Sequence, residues 1–267
     1  TAPGPTVFPI PAPTAANYPD GVAAGFAAAV AAACDQMAAS GLKPCALIVD
    51  TIFSSDGVHS GPPGFLAPAT VVIRAKGGLF IADEVQPGFG RTGAGMWGFA
   101  RHGLIPDMVS LGKPMGSGYP MAGLVVQPGT LAAFGQNTRY FNTFGGNAVA
   151  AAVGEAVLDV IEDEGLIENA ARVGAALADG MRALASRHAT LGETRAAGLF
   201  LGTDILTDGQ PDGAKAVRIV NDLRRAGILI STTGPLGHIL KIRPPLPFSL
   251  ANADQILTTL DSLLDRV

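Results

Sequence analysis

Gly77-Gly78-Leu79-Phe80-Ile81-Ala82-Asp83-Glu84-Val85-Gln86-Pro87-Gly88-Phe89-Gly90-Arg91-Thr92-Gly93 is the stretch that decides the architecture. Leu79–Ala82 is an apolar run that ends abruptly on two carboxylates, Asp83 and Glu84, and then passes into a glycine-rich loop. A short apolar run bounded by turn signals reads as a buried strand. An acid at its C-terminal end lies where open α/β sheets place their ligand sites. A second short strand, Met108–Leu111, delivers Lys113 among Gly112, Gly116 and Gly118. A third, Ala46–Val49, ends on Asp50.

Outward from this centre, residues 1–20 are proline-rich and read as an extended lead-in. Gly21–Ser40 is alanine-dominated, reads as a helix and stops at Gly41. A loop over Gly57–Gly64 and a helix over Phe65–Ala75 precede the quoted strand, and a strand over Met121–Val126 follows Lys113. Strands alternating with helices predict a mostly parallel, doubly wound sheet. Beyond Gly146 the pattern changes to two long helices, Val149–Ile161 and Leu166–Arg187. Strands at Leu199–Ile205, Ile228–Ser231 and Ile239–Ile242 follow, with a helix over Ala214–Ala226 and a last one from Ala251 that Ser249 caps. The fold class expected is α/β: a partial large domain over 1–153 and a small C-terminal α+β domain over 154–267.

Composition narrows the function classes. The chain has 267 residues, 48% hydrophobic and 15% charged, with net charge −4. No Lys/Arg stripe is present, which argues against nucleic acid as a partner. Cys34 and Cys45 make no disulfide framework and read as reduced thiols, so the expected location is cytoplasmic. The four histidines are scattered without metal-ligand spacing. The best membrane candidate, Gly21–Cys34, falls short of the roughly 20 apolar residues that a spanning helix needs, and no Arg/Lys-led secretory signal opens the chain.

An acid and a lysine at the ends of nearby strands suit a pyridoxal 5'-phosphate (PLP) site. The lysine forms an imine with the aldehyde, and the acid keeps the pyridine nitrogen protonated so that the ring accepts electrons. Four segments in order, residues 79–93, 107–120, Tyr140–Asn147 and Leu240–Leu246, resemble class III (ω-type) PLP-dependent aminotransferases of fold type I. Within that family the alanine–glyoxylate aminotransferase 2-like branch, which includes the ethanolamine-phosphate phospho-lyases, is the most similar.

The resemblance implies roles residue by residue. Lys113 is the imine lysine and proton carrier, and Asp83 is the ring-nitrogen anchor. Val85 packs on the ring face, and Gln86 hydrogen-bonds the ring oxygen. Thr143 reaches the phosphate of a neighbouring subunit's cofactor, which implies a homodimer; read without the resemblance, its loop could be a simple helix cap. Arg243 takes a substrate carboxylate. Asp50 stands where some relatives carry a glutamate that pairs with this arginine, so an Asp50–Arg243 ion pair is the competing expectation. Ser54, Ser55 and Asp56 could face the substrate. The family has proline where this chain has Ala148.

The implied reaction moves an amino group between an amine or ω-amino acid and a 2-oxo acid. The alternatives are a phospho-lyase acting on a phosphorylated amino alcohol and an inactive fragment that only dimerises. The chain resembles roughly the C-terminal three-fifths of such enzymes, whose upstream segment supplies first sheet strands and a phosphate-binding turn. The 267 residues alone are therefore expected to bind PLP weakly and to self-associate.

Overall fold

A computed structural model describes residues 5–265. The first element, α1 (Val22–Ala39), is the one helix among the described residues long and apolar enough, by length and composition, to cross a membrane. It nonetheless contributes Phe26, Val30 and Cys34 to a core shared with Phe65, Leu66 and Phe80. α2 (Ala67–Ala75) lies beside it, with proline in its first turn, where the missing N–H costs nothing.

The two helices cover one face of a four-stranded sheet: β1 (Ala46–Asp50), β2 (Leu79–Asp83), β3 (Met108–Leu111) and β4 (Gly123–Val126), in that order. The first three strands are parallel and β4 is antiparallel to β3. Burial alternates along β2, with Phe80 and Ala82 turned into the helical layer and fully buried. Burying a Phe-sized side chain in this way is worth about 1.5–3 kcal/mol. The opposite face is less covered, and Ile48 on the edge strand β1 is 63% exposed. Sheet order places the site: Asp50 pairs with Asp83, and Asp83 with Ser110, so three polar residues lie side by side, Asp50 and Asp83 ending β1 and β2 and Ser110 one residue before the end of β3.

After β4 come a short helix α3 (Ala132–Asn137) and an exposed loop. Then α4 (Ala148–Asp163) and α5 (Leu166–Ala185) follow. α4 is continuous across the 153/154 junction between the two expected domains.

The second sheet is antiparallel, in the order β5 (Leu191–Ala196), β6 (Leu201–Thr207), β9 (Ile239–Ile242), β8 (Ser231–Thr233), with β7 (Gln210–Pro211) paired to the end of β6. α5, α6 (Gly213–Arg225) and α7 (Leu250–Leu264) supply its core partners, among them Leu177, Met181, Ile219 and Leu260 against Leu201 and Leu240. Asp212 caps α6 through Lys215 N. Ser249 and Asn252 form a reciprocal capping box on α7.

Several elements differ from the sequence reading, among them α3 and β7, which it did not include. The strand expected at Ile228–Ser231 pairs only from Ser231, and Ile228 packs against the core instead. β5 was not anticipated, because it is held by polar cross-strand contacts: Thr194 meets Thr203 at 3.0 Å and Arg195 pairs with Asp204. The strand expected from Met121 begins at Gly123.

Candidate active site

The backbone leaves the sheet at Asp83 by folding over its own carboxylate. Asp83 Oδ1 accepts from Val85 N at 3.0 Å and from Ser110 Oγ at 3.1 Å. Extended geometry stops there, so Val85 is placed by this turn and not by strand alternation. Asp83 Oδ2 has no donor among the described residues. Asp50, one strand over, makes the same kind of turn, its oxygens accepting from Ile52 N and Ser54 N at 3.0 Å each and from Ser54 Oγ in a very short contact. Burial, with a smaller contribution from the Asp83 charge, raises the Asp50 carboxyl above its usual range against these three donors.

Lys113 follows β3 after an extended Gly112 and opens a 3₁₀ turn, Lys113–Gly116. Its φ of 37° lies in the left-handed region that non-glycine residues avoid, a strain of order 1–3 kcal/mol that clusters at functional sites. The side chain is exposed, and its Nζ has no partner among the described residues. Lys113 lines a cleft of about 230 Å³ with Val85, Gln86, Arg91, Ser117 and Arg243.

Gln86 links the acid side of the cleft to the basic side. Its Nε2 donates to Ser54 Oγ at 2.8 Å, and its Oε1 accepts from Arg243 Nη1 at 2.5 Å. The expected Asp50–Arg243 ion pair is not formed, because the short aspartate is consumed by its own turn. The two are joined instead through Ser54 and Gln86. Ser54 is fully buried in this chain of hydrogen bonds, whereas the Ser55 and Asp56 carbonyls tie the loop to Thr233 and His59.

Two residues that the sequence reading gave no role organise the site. Glu84 is fully buried and accepts from Gly98 N at 2.7 Å and Phe99 N at 2.8 Å, with Thr51 Oγ1 at 3.5 Å. Burial pushes its carboxyl up to about 7 despite these donors. Arg91 donates to Leu199 O at 3.2 Å and to Pro244 O in a shorter contact, while its own carbonyl accepts from Leu199 N at 3.1 Å. Burial, then the Arg243 charge, lowers the Arg91 guanidinium to about 10. The clue to this clamp was its setting, Gly90-Arg91-Thr92-Gly93, where glycines permit close approach. A Cβ on Gly198 would stand 2.4 Å from the Thr92 carbonyl carbon and 2.6 Å from Arg91 O.

Thr143 lies outside this cleft. It is exposed in the loop before α4, where Asn142 Oδ1 accepts from Gly145 N at 3.0 Å and Asn147 Oδ1 from Ala150 N at 2.9 Å. Within one chain the Tyr140–Asn147 segment therefore acts as a helix cap.

The residues present fit PLP: a half-buried acid with one oxygen that takes no donor and a lysine amine with no partner, both among the described residues, and an apolar Val85 that lines one cleft with the lysine. The comparisons agree. The family model for class-III aminotransferases matches residues 3–264. The alanine–glyoxylate aminotransferase 2 homolog 2, mitochondrial, of Arabidopsis thaliana is 39% identical over 82% of this chain and 46% of its own length. Ethanolamine-phosphate phospho-lyase homolog 1 of Caenorhabditis elegans is 37% identical over 82% and 48%. A solved phospholyase from Arthrobacter, in complex with phosphoethanolamine, superposes with a TM-score of 0.89 at 37% identity, over 94% of this chain and 60% of that one. The chain spans about half the length of the curated relatives it matches. From its motifs, its strand-end acid and lysine, and the match along nearly all its residues, the chain belongs to the class III aminotransferase family, whose cofactor is PLP.

Proposed function

We propose that this chain carries the catalytic lysine and ring-nitrogen acid of an aminotransferase that moves an amino group between an amine or ω-amino acid and a 2-oxo acid. One observation carries the reading. Asp83, with Oδ2 free, and Lys113, with Nζ free, end neighbouring parallel strands beside the cleft that Val85, Gln86 and Arg243 line.

Bound there, PLP supplies a sink for electrons released at the substrate's amine-bearing carbon. Asp83's charge favours the protonated ring nitrogen. Val85 gives the ring an apolar wall. Lys113 would hold the cofactor through its aldehyde, and its amine, when free, would accept a proton from the substrate carbon and return it as general base and acid. Arg243, now held only by a neutral amide, is open to a bidentate contact with a substrate carboxylate.

A second reading, elimination of phosphate from a phosphorylated amino alcohol, is favoured by the cations gathered around the cleft, namely Arg91, Lys113 and Arg243 with Lys241 close by. Both readings need Asp83 and Lys113. Assaying the full-length protein for 2-oxo-acid-dependent amine consumption and for phosphate release separates them. Amine consumption that requires the 2-oxo acid is the result expected; phosphate release without an acceptor would replace the first reading with the second.

We also propose a homodimer. Phe134, Tyr140, Phe141, Phe144 and Val149 are 45–82% exposed within one short stretch, an apolar patch of the kind that marks association surfaces. Thr143 sits in the middle of that stretch, where it would face the partner.

A further inference from the structure

β9 lies inside its sheet, with Lys241 opposite Gly202 of β6 and Ser231 of β8. Lys241 and Arg243 are two residues apart on β9 and so share one face. Both heads lie over the same ring: Lys241 Nζ is 5.3 Å and Arg243 Cζ 6.0 Å from the centroid of Phe200, itself fully buried.

Neither cation has a carboxylate partner among the described residues. The acid that acts on Lys241 is Asp50, and its oxygens are already taken by Ile52 and Ser54. Burial, then the charges of Arg243 and Lys113, lower the Lys241 ammonium, and Asp50 is the single opposing influence. Lys241 is half-buried and Arg243 is exposed; like charges crowded on one ring repel each other, and a charge held partly out of water, as on Lys241, is ordinarily paired. An anion seated between them would relieve both costs. In a chain of net charge −4, this concentration of positive charge is local to the cleft.

We propose that Lys241 is a specificity-determining residue that, with Arg243, forms a two-cation subsite over Phe200 for the doubly charged phosphate group of a phosphorylated amine substrate. A carboxylate carries one charge and is satisfied by the Arg243 fork alone. A phosphate monoester carries about −1.5 to −2 at neutral pH and three acceptor oxygens, so it gains from the second cation where a carboxylate gains little. Assigning the phosphate to a substrate rests on the PLP reading of the cleft; the anion subsite itself does not.

The test uses full-length protein saturated with PLP, with inorganic phosphate and acetate as probes, their dissociation constants measured by calorimetry for the parent and for Lys241→Gln, Lys241→Arg and Arg243→Gln. Lys241→Gln is expected to weaken phosphate about tenfold, one charged contact, while shifting acetate less than about twofold. Lys241→Arg should restore phosphate binding, and Arg243→Gln should weaken both probes. Unchanged phosphate affinity in Lys241→Gln, or equal losses for both probes, would overturn the proposal. Failure of the PLP reading would show separately, as no visible absorbance band on adding the cofactor.

Discussion

Arg243 Nη1 donates to Gln86 Oε1 at 2.5 Å, so this cleft arginine is held by a neutral amide and not by an acid. The amide is fixed in turn through Ser54 by Asp50. Each hydroxyl and amide in this series both donates and accepts, an arrangement that strengthens its members. The arginine is thereby positioned without being neutralised, and its charge stays available for an anionic ligand.

Removing that charge should be selective. Arg243→Ala is expected to lower kcat/KM for carboxylate-bearing substrates by roughly 10–100-fold relative to simple amines, the worth of a charge-assisted hydrogen-bonded pair. Parallel assays on one amine and its carboxylated analogue check this. Equal losses would make Arg243 structural.

Asp83→Asn keeps an oxygen for Val85 N and Ser110 Oγ but removes the negative charge. The variant should still bind PLP while kcat falls by about 10²–10³, the scale for deleting one electrostatic partner of a transition state. Cofactor titration alongside steady-state rates measures both parts. Parental turnover would show that Asp83 only holds its turn.

Glu84 gives stability a pH dependence of defined sign. Its folded-state value of about 7 lies above the ordinary glutamate value of 4.5, so the folded protein binds the proton more tightly than the unfolded chain. Stability should therefore fall as pH rises from about 4.5 to about 7 and level off above, by a few kcal/mol, near 1.4 kcal/mol per unit. Urea unfolding across this range should show the fall in the parent and lose it in Glu84→Gln. The same slope in both proteins would assign it to other groups.

Gly198→Ala tests the close packing behind the Arg91 clamp. At φ 55° the new methyl would press on the Thr92 carbonyl carbon and Arg91 O, both backbone atoms that cannot swing away. A loss of more than about 2 kcal/mol by chemical denaturation is expected, from overpacking and the left-handed backbone together. A neutral substitution would mean that the loop is free to move off β6.

What could be read from sequence follows the range of the forces involved. β2 and β3 showed themselves as apolar runs with abrupt polar ends, and the Ser249 cap as a local side-chain signal. Asp83, Val85, Gln86 and Lys113 could be named because the motifs around them are contiguous. β5 was hidden because Thr194 and Arg195 find their partners across a strand pair and carry no apolar alternation. The Arg91 clamp and the placement of Lys241 over Phe200 join residues far apart in the chain, and nothing local marks them. Asp50 and Ser54, at a spacing suited to a side-chain turn, were a legible hint that the aspartate would serve its own loop before serving Arg243.

The central claim is that Lys113 is the amine that holds the cofactor aldehyde. Full-length protein incubated with PLP, reduced with borohydride and mapped by peptide mass analysis tests it most directly. The account predicts a pyridoxyl label on Lys113 and its disappearance in Lys113→Ala, with the unfolding midpoint of the cofactor-free variant close to that of the parent. A label on Lys241 or any other lysine, with Lys113 unmodified, would contradict it.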